Sequence, residues 1–140
     1  MKRFDYLGDA VWLIAWRKFE MKHFSKHTGS HRNVRSQVIV SNKFMTMIAQ
    51  AEKIEPIGTA RKRYSDGLEH FVGKLEFENP GEGIKTAMSI MARRIDIGKL
   101  NRLTHEKVTV RHNALIDPRI SQPGRILKST NQRKILGKFY

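Results

Sequence analysis

Cysteine is absent from these 140 residues. That excludes thiolate catalysis, zinc held by sulfur and a disulfide-stapled scaffold, and it points to an intracellular setting. Long apolar runs are absent as well. No stretch nears the ~18 apolar residues of a membrane-spanning helix, so no membrane is expected as a partner. Lys2, Arg3, Asp5 and Asp9 interrupt the segment where the apolar core of a secretory leader would lie. The expected location is cytoplasmic or mitochondrial, and the sequence does not separate the two. Proline is sparse: Pro56 with Gly58 marks a loop, Asn79-Pro80-Gly81 a stop, and Pro118 and Pro123 a polar tract near the end.

Acidic side chains are scarce too, with 13 Asp and Glu against 27 Lys and Arg and a net charge of +14. A body this basic attracts polyanions, because binding releases their condensed counterions. The excess is uneven. Residues 1–92 carry 15 basic and 10 acidic side chains, whereas residues 93–140 carry 12 and three. A chain of this length fits one domain that buries roughly two-thirds of its unfolded surface.

What is present in quantity is helical periodicity. Over residues 3–22, Phe4, Leu7, Ala10, Val11, Ile14, Ala15 and Phe19 recur at spacings of three and four, with Trp12 and Trp16 as an adjacent row. So wide an apolar face predicts burial on more than one side, in a helical core or a dimer contact. Gly29 closes a polar segment read as a loop. A second helix is expected from Val34 to Ala51, with Val38-Ile39-Val40 as an alternative short strand and Ser41 or Asn42 as a cap. Further helices are expected over Tyr64–Phe77, with Leu68, Phe71, Val72 and Leu75 inward, and over Gly83–Ile97, with Ile84, Ala87, Met88, Met91 and Ile95 inward. Beyond Leu100 the periodicity fades. The expected organisation is an all-α body over residues 1–100 and an irregular basic arm over 101–140.

The few acidic residues form a pattern. Asp5 and Asp9 stand four apart on the first helix, and Asp66 and Glu69 three apart on the third, so each pair shares a helix face. Like charges at these spacings destabilise a bare helix by a few tenths of a kcal/mol, a cost that a cation between them removes. Carboxylate oxygens on two facing helices suit Mg2+ or Mn2+. On ordinary helices such residues are solvated, and spacing alone leaves both readings open.

Phe4-Asp5-Tyr6-Leu7-Gly8-Asp9-Ala10-Val11 resembles the signature segment of the ribonuclease III family, Leu-Glu-Phe-Leu-Gly-Asp-Ala-Val. Val40-Ser41-Asn42 resembles that family's internal Val-Ser-Asn segment, and Tyr64-Ser65-Asp66-Gly67-Leu68-Glu69-His70-Phe71-Val72-Gly73 its second acidic segment. The three matches stand in the family's order over residues 2–97. The resemblance implies an all-α endonuclease domain that dimerises through the signature helix and cleaves double-stranded RNA with Mg2+. Its metal-binding, catalytic carboxylates would be Asp5, Asp9, Asp66 and Glu69. Asp5 is one methylene shorter than the family's glutamate, and Lys2 stands where the family has another glutamate at the subunit interface. The one or two helices that ordinarily precede the signature, and an appended double-stranded-RNA-binding domain, have no counterpart in these residues. In size the chain is similar to the compact branch of the family.

Duplex RNA is recognised by its shape, phosphates and 2′-hydroxyls rather than its base edges. Candidate phosphate contacts are Arg32, Arg35, Arg61, Lys62 and Arg63, followed by Lys99, Arg102, Lys107 and Arg111 and then Arg119, Arg125, Lys128, Arg133 and Lys134. A second function fits the same features: an inactive ribonuclease III-like domain held in a ribosome or similar particle, with ribosomal RNA and neighbouring proteins as partners. The acidic quartet favours the enzyme, as a homodimer. Lys2, the basic arm and the missing leading helices favour the structural protein.

Overall fold

The structure, a computed structural model, describes residues 2–24 and 28–116, with side chains as far as residue 110. Among the described residues there are six helices and no strand. Helix α1 (Asp5–His23) forms as expected, and Val11, Trp12, Ala15, Trp16 and Phe19 are buried along one side, whereas Ala10 and Ile14, read as part of the apolar face, are exposed. Burying an indole requires a partner for its N–H. Trp12 Nε1 donates to the Ile39 carbonyl and Trp16 Nε1 to the Ser36 hydroxyl, each at 3.1 Å.

The helix expected over Val34–Ala51 is two helices, α2 (Gly29–Ile39) and α3 (Asn42–Ala51). Helix α2 starts at Gly29, the residue read as closing a loop and five residues before the expected start, and Val38 and Ile39 are helical rather than a strand. The break lies at Val40 and Ser41. The Ser41 hydroxyl donates to the Val38 carbonyl at 2.8 Å and accepts from the Phe44 N–H at 3.1 Å, closing one helix and capping the next. Ser41→Ala is expected to cost about 1 kcal/mol, read as a lower urea midpoint at unchanged slope.

Helix α4 (Arg63–Glu78) and helix α5 (Glu82–Arg94) match the expected segments to within a few residues. Between them Gly81 takes φ +92°, open to glycine without strain. Glu76 reaches back over this turn: its two carboxylate oxygens accept from the Gly81 N–H at 2.6 Å and the Ile84 N–H at 3.1 Å. The far end of α5 is tied to the end of α3 by Glu52. Arg93 and Arg94 each pair with one of its oxygens at 2.6 Å, and they hold its carboxyl below the usual range.

Helix α6 (Ile97–Ile116) corrects the reading of residues 101–140 as an irregular arm: residues 101–116 are helical. Its buried positions, Leu100, Leu103, Thr104 and Lys107, follow helical spacing, but a threonine and a lysine hide the stripe from a hydropathy reading. Residues 117–140 lie outside the described residues.

The chain divides into two compact units. The first comprises residues 2–24 and 36–95, where α1 lies against α4 and α5, and α4 also contacts α3 and α5. The second comprises residues 28–35 and 96–116, where the His31 ring stacks on His105 with centroids 6.4 Å apart and the Thr28 hydroxyl hydrogen-bonds the His31 ring.

Candidate functional site

The two carboxylate pairs are carried by a close helix crossing in the first unit. A Cβ at Gly8 would stand 1.6 Å from the Glu69 carbonyl oxygen, and a Cβ at Gly73 would stand 2.2 Å from the Phe4 carbonyl oxygen and 2.7 Å from the Gly8 nitrogen. Helices α1 and α4 therefore meet backbone to backbone, an approach that only glycine permits. The Phe4 N–H donates to His70 Nδ1 at 3.0 Å, fastening the start of α1 to α4. Burial, reinforced by the Lys74 charge, lowers the His70 pKa, which keeps the ring neutral and able to accept this bond.

This crossing brings the charges of Asp5, Asp9 and Asp66 to bear on Glu69. Burial, then Asp9, Asp66 and Asp5 in that order, push the Glu69 carboxyl up to about 7, against a smaller opposing effect of Lys62. A carboxyl half-protonated at neutral pH marks a site short of positive charge. One cation already serves it. Arg3 donates to Asp5 through Nε at 3.1 Å and through a terminal nitrogen at 3.0 Å, and the same terminal nitrogen reaches Asp66 at 3.5 Å. The guanidinium holds the Asp5 carboxyl below the usual carboxylate range.

The four candidate residues thus interact electrostatically, with Arg3 joining two of them. Among the described residues, no group of three or more His, Asp or Glu side chains is arranged to hold a metal ion as it stands. The sequence reading did not foresee Arg3. Its only signal was its place two residues before Asp5, in a chain where most arginines look alike. Lys2, also outside any helix, lies over aromatic rings, 4.7 Å from the centroid of Phe77 and 5.4 Å from that of Phe4.

The middle and second acidic segments are joined as well. The Ser65 hydroxyl, one residue before Asp66, donates to Asn42 Oδ1 at 2.5 Å, linking the start of α3 to the first turn of α4. Of the candidate phosphate contacts, Arg61, Lys62 and Arg63 are exposed just before or at the start of α4, and the Arg63 guanidinium lies 5.0 Å from the Tyr64 ring. Arg32 and Arg102 are exposed and Lys99 is partly so. Arg35 is wholly buried and Lys107 nearly so, both engaged inside the protein, which corrects their assignment as phosphate contacts. The side chain of Arg111, and all of Arg119, Arg125, Lys128, Arg133 and Lys134, lie outside the described residues.

Compared with family models, curated proteins and solved structures, the chain matches none.

Proposed function

We propose that this chain is a ribonuclease III-type endonuclease that cleaves double-stranded RNA with Mg2+. The observation that carries the proposal is the position of Glu69, raised to about 7 by burial and by three aspartates from two helices in backbone contact. Such an arrangement is costly in a protein that has no use for it. The donor set fits the ion: Asp5, Asp9, Asp66 and Glu69 offer only hard carboxylate oxygens, the ligands that Mg2+ and Mn2+ prefer. These four residues would hold the ion. When bound, it supplies Lewis acidity toward water and the scissile phosphodiester.

The chain's own residues then have distinct tasks. Glu69 would be the ligand most closely tied to the attacking water. Asp9, the strongest charge acting on Glu69, would be the facing ligand from α1. Lys62, also within electrostatic reach of Glu69, and its exposed neighbours Arg61 and Arg63 receive RNA phosphates. A homodimer through α1 is part of the same reading. Tyr6, Leu13, Ile14 and Met21 leave apolar surface exposed on that helix, Tyr6 at 93 % and Met21 at 68 %. A solvated helix rarely carries so much.

One observation favours the second reading, an inactive RNA-binding component of a ribosome or similar particle. Arg3 already supplies a cation to Asp5 and Asp66, as a metal-free site would require.

Incubating the full chain with duplex RNA in Mg2+, Mn2+ and EDTA separates the two. Metal-dependent cuts leaving 5′ phosphates are expected. Tight binding with no cleavage in either metal would overturn the enzyme and leave the structural role.

A further inference from the structure

Helix α1 begins among carboxylates and ends among cations. Toward its C-terminus α1 and α5 form a cleft of about 470 Å3, and Lys18, Lys22, His23 and Lys85 line it together with apolar Phe19, Ile84 and Met88. No Asp or Glu is among the lining residues. Lys18 and Lys22 are one turn apart on α1, so their ammonium groups emerge side by side. Lys85 approaches from α5, and His23 lies against the Phe19 ring at a centroid distance of 4.3 Å.

Two of the three acids nearest in sequence are occupied. Glu76, which could have neutralised the α5 side, has both oxygens on the Gly81 and Ile84 amides. Those amides are thereby satisfied, so the attraction for an anion comes from the side chains and not from the helix end. Glu20 is buried, with Arg17 3.7 Å away. Glu82 is exposed one turn from Lys85 and shares the neighbouring depression with it, without forming an ion pair. None of the three lysines has an ion-pair partner among the described residues. Three lysines without ion-pair partners thus line one concave surface, two of them on a helix whose other end gathers carboxylates.

We propose that this cleft is a phosphate subsite for RNA, holding the backbone of a strand about 20 Å along α1 from Asp5, at ~1.5 Å per residue. The proposal rests on the reading of the chain as an RNA-binding protein and adds to it an anchoring point remote from the carboxylates. Phosphates seated on Lys18, Lys22 and Lys85 fix the register of the strand without reading its sequence.

The test is fluorescence anisotropy of the full chain on a labelled RNA duplex, with Ca2+ in place of Mg2+, across a KCl series. Two doubly substituted proteins of equal charge are compared: Lys18→Gln with Lys22→Gln, and, as control, Lys53→Gln with Lys74→Gln. The cleft variant is expected to bind roughly tenfold more weakly at 0.1 M salt and to lose about two from the slope of log K against log salt. The control is expected to keep the wild-type slope. Equal losses in both would mean diffuse attraction and overturn the subsite, as would a cleft variant that binds like wild type. Wild-type protein that fails to bind duplex RNA at any salt would overturn the RNA reading itself, a result separable from the other two. Circular dichroism of each variant checks that these exposed substitutions leave the fold intact.

Discussion

Glu69→Gln is expected to slow Mg2+-dependent cleavage of duplex RNA by roughly a thousandfold, about 4 kcal/mol of barrier, while making the metal-free protein more stable at pH 8. The two effects share one cause. Burial and the charges of Asp9, Asp66 and Asp5 raise the folded-state Glu69 carboxyl to about 7, above the ordinary value near 4.5 that it regains on unfolding. The folded protein therefore holds this proton more tightly than the unfolded chain does. Stability falls as pH rises from about 4.5 to about 7 and levels off above, because the ionised group is less well accommodated in the fold. Glutamine cannot ionise, so it removes that loss. Urea titrations in EDTA should show the variant about 1–3 kcal/mol more stable than wild type at pH 8, with the difference closing near pH 4. Mg2+ should stabilise wild type more than the variant, by mass action on the folded state. A difference that does not change with pH would mean that the carboxylates do not act on Glu69 as described.

Gly8→Ala is expected to destabilise the protein by about 3 kcal/mol or more, although glycine to alanine inside a helix ordinarily stabilises by nearly 1 kcal/mol. The sign reverses because the new methyl would lie 1.6 Å from the Glu69 carbonyl oxygen, a backbone atom that cannot swing aside as a side chain could. Relief requires α1 and α4 to separate, which strips contacts from the whole crossing and carries Asp5 and Asp9 away from Asp66 and Glu69. Gly73→Ala, with its Cβ 2.2 Å from the Phe4 carbonyl oxygen, should behave alike. Gly29→Ala is the control, since nothing stands within 4 Å of a Cβ there. Thermal or urea unfolding of the three variants checks the order. A Gly8 variant as stable as wild type would contradict the backbone-to-backbone crossing.

These two positions mark what was legible beforehand. Helices α1, α4 and α5 could be read because apolar residues recur on them at spacings of three and four. Ile14 and Phe71, read as inward, are nevertheless exposed, and glycine or alanine holds several of the buried places on α4 and α5. The break between α2 and α3 could be suspected from Ser41, but whether a serine caps a helix or rides within it depends on which backbone amide its hydroxyl meets. Helix α6 escaped because Thr104 and Lys107 occupy buried positions, and charge led Lys107 and Arg35 to be read as surface contacts. At the site, spacing put Asp5 with Asp9 and Asp66 with Glu69. What brings one pair to the other is Gly8 against Glu69, a tertiary contact with no periodic signature. Arg3 was invisible for the same reason: a guanidinium chooses its partners in three dimensions.

Trp12 and Trp16 have a further use. They are the chain's two tryptophans, and both lie in the buried row of α1 with their indole N–H groups bonded to Ile39 and Ser36. Intrinsic fluorescence of the protein therefore originates on one helix, in surroundings shielded from water. Emission at short wavelength reports that α1 remains seated, whereas far-ultraviolet circular dichroism averages over every helix. Helical signal lost without a red shift would locate the melting elsewhere, and the two optical probes together resolve partial unfolding with no label attached.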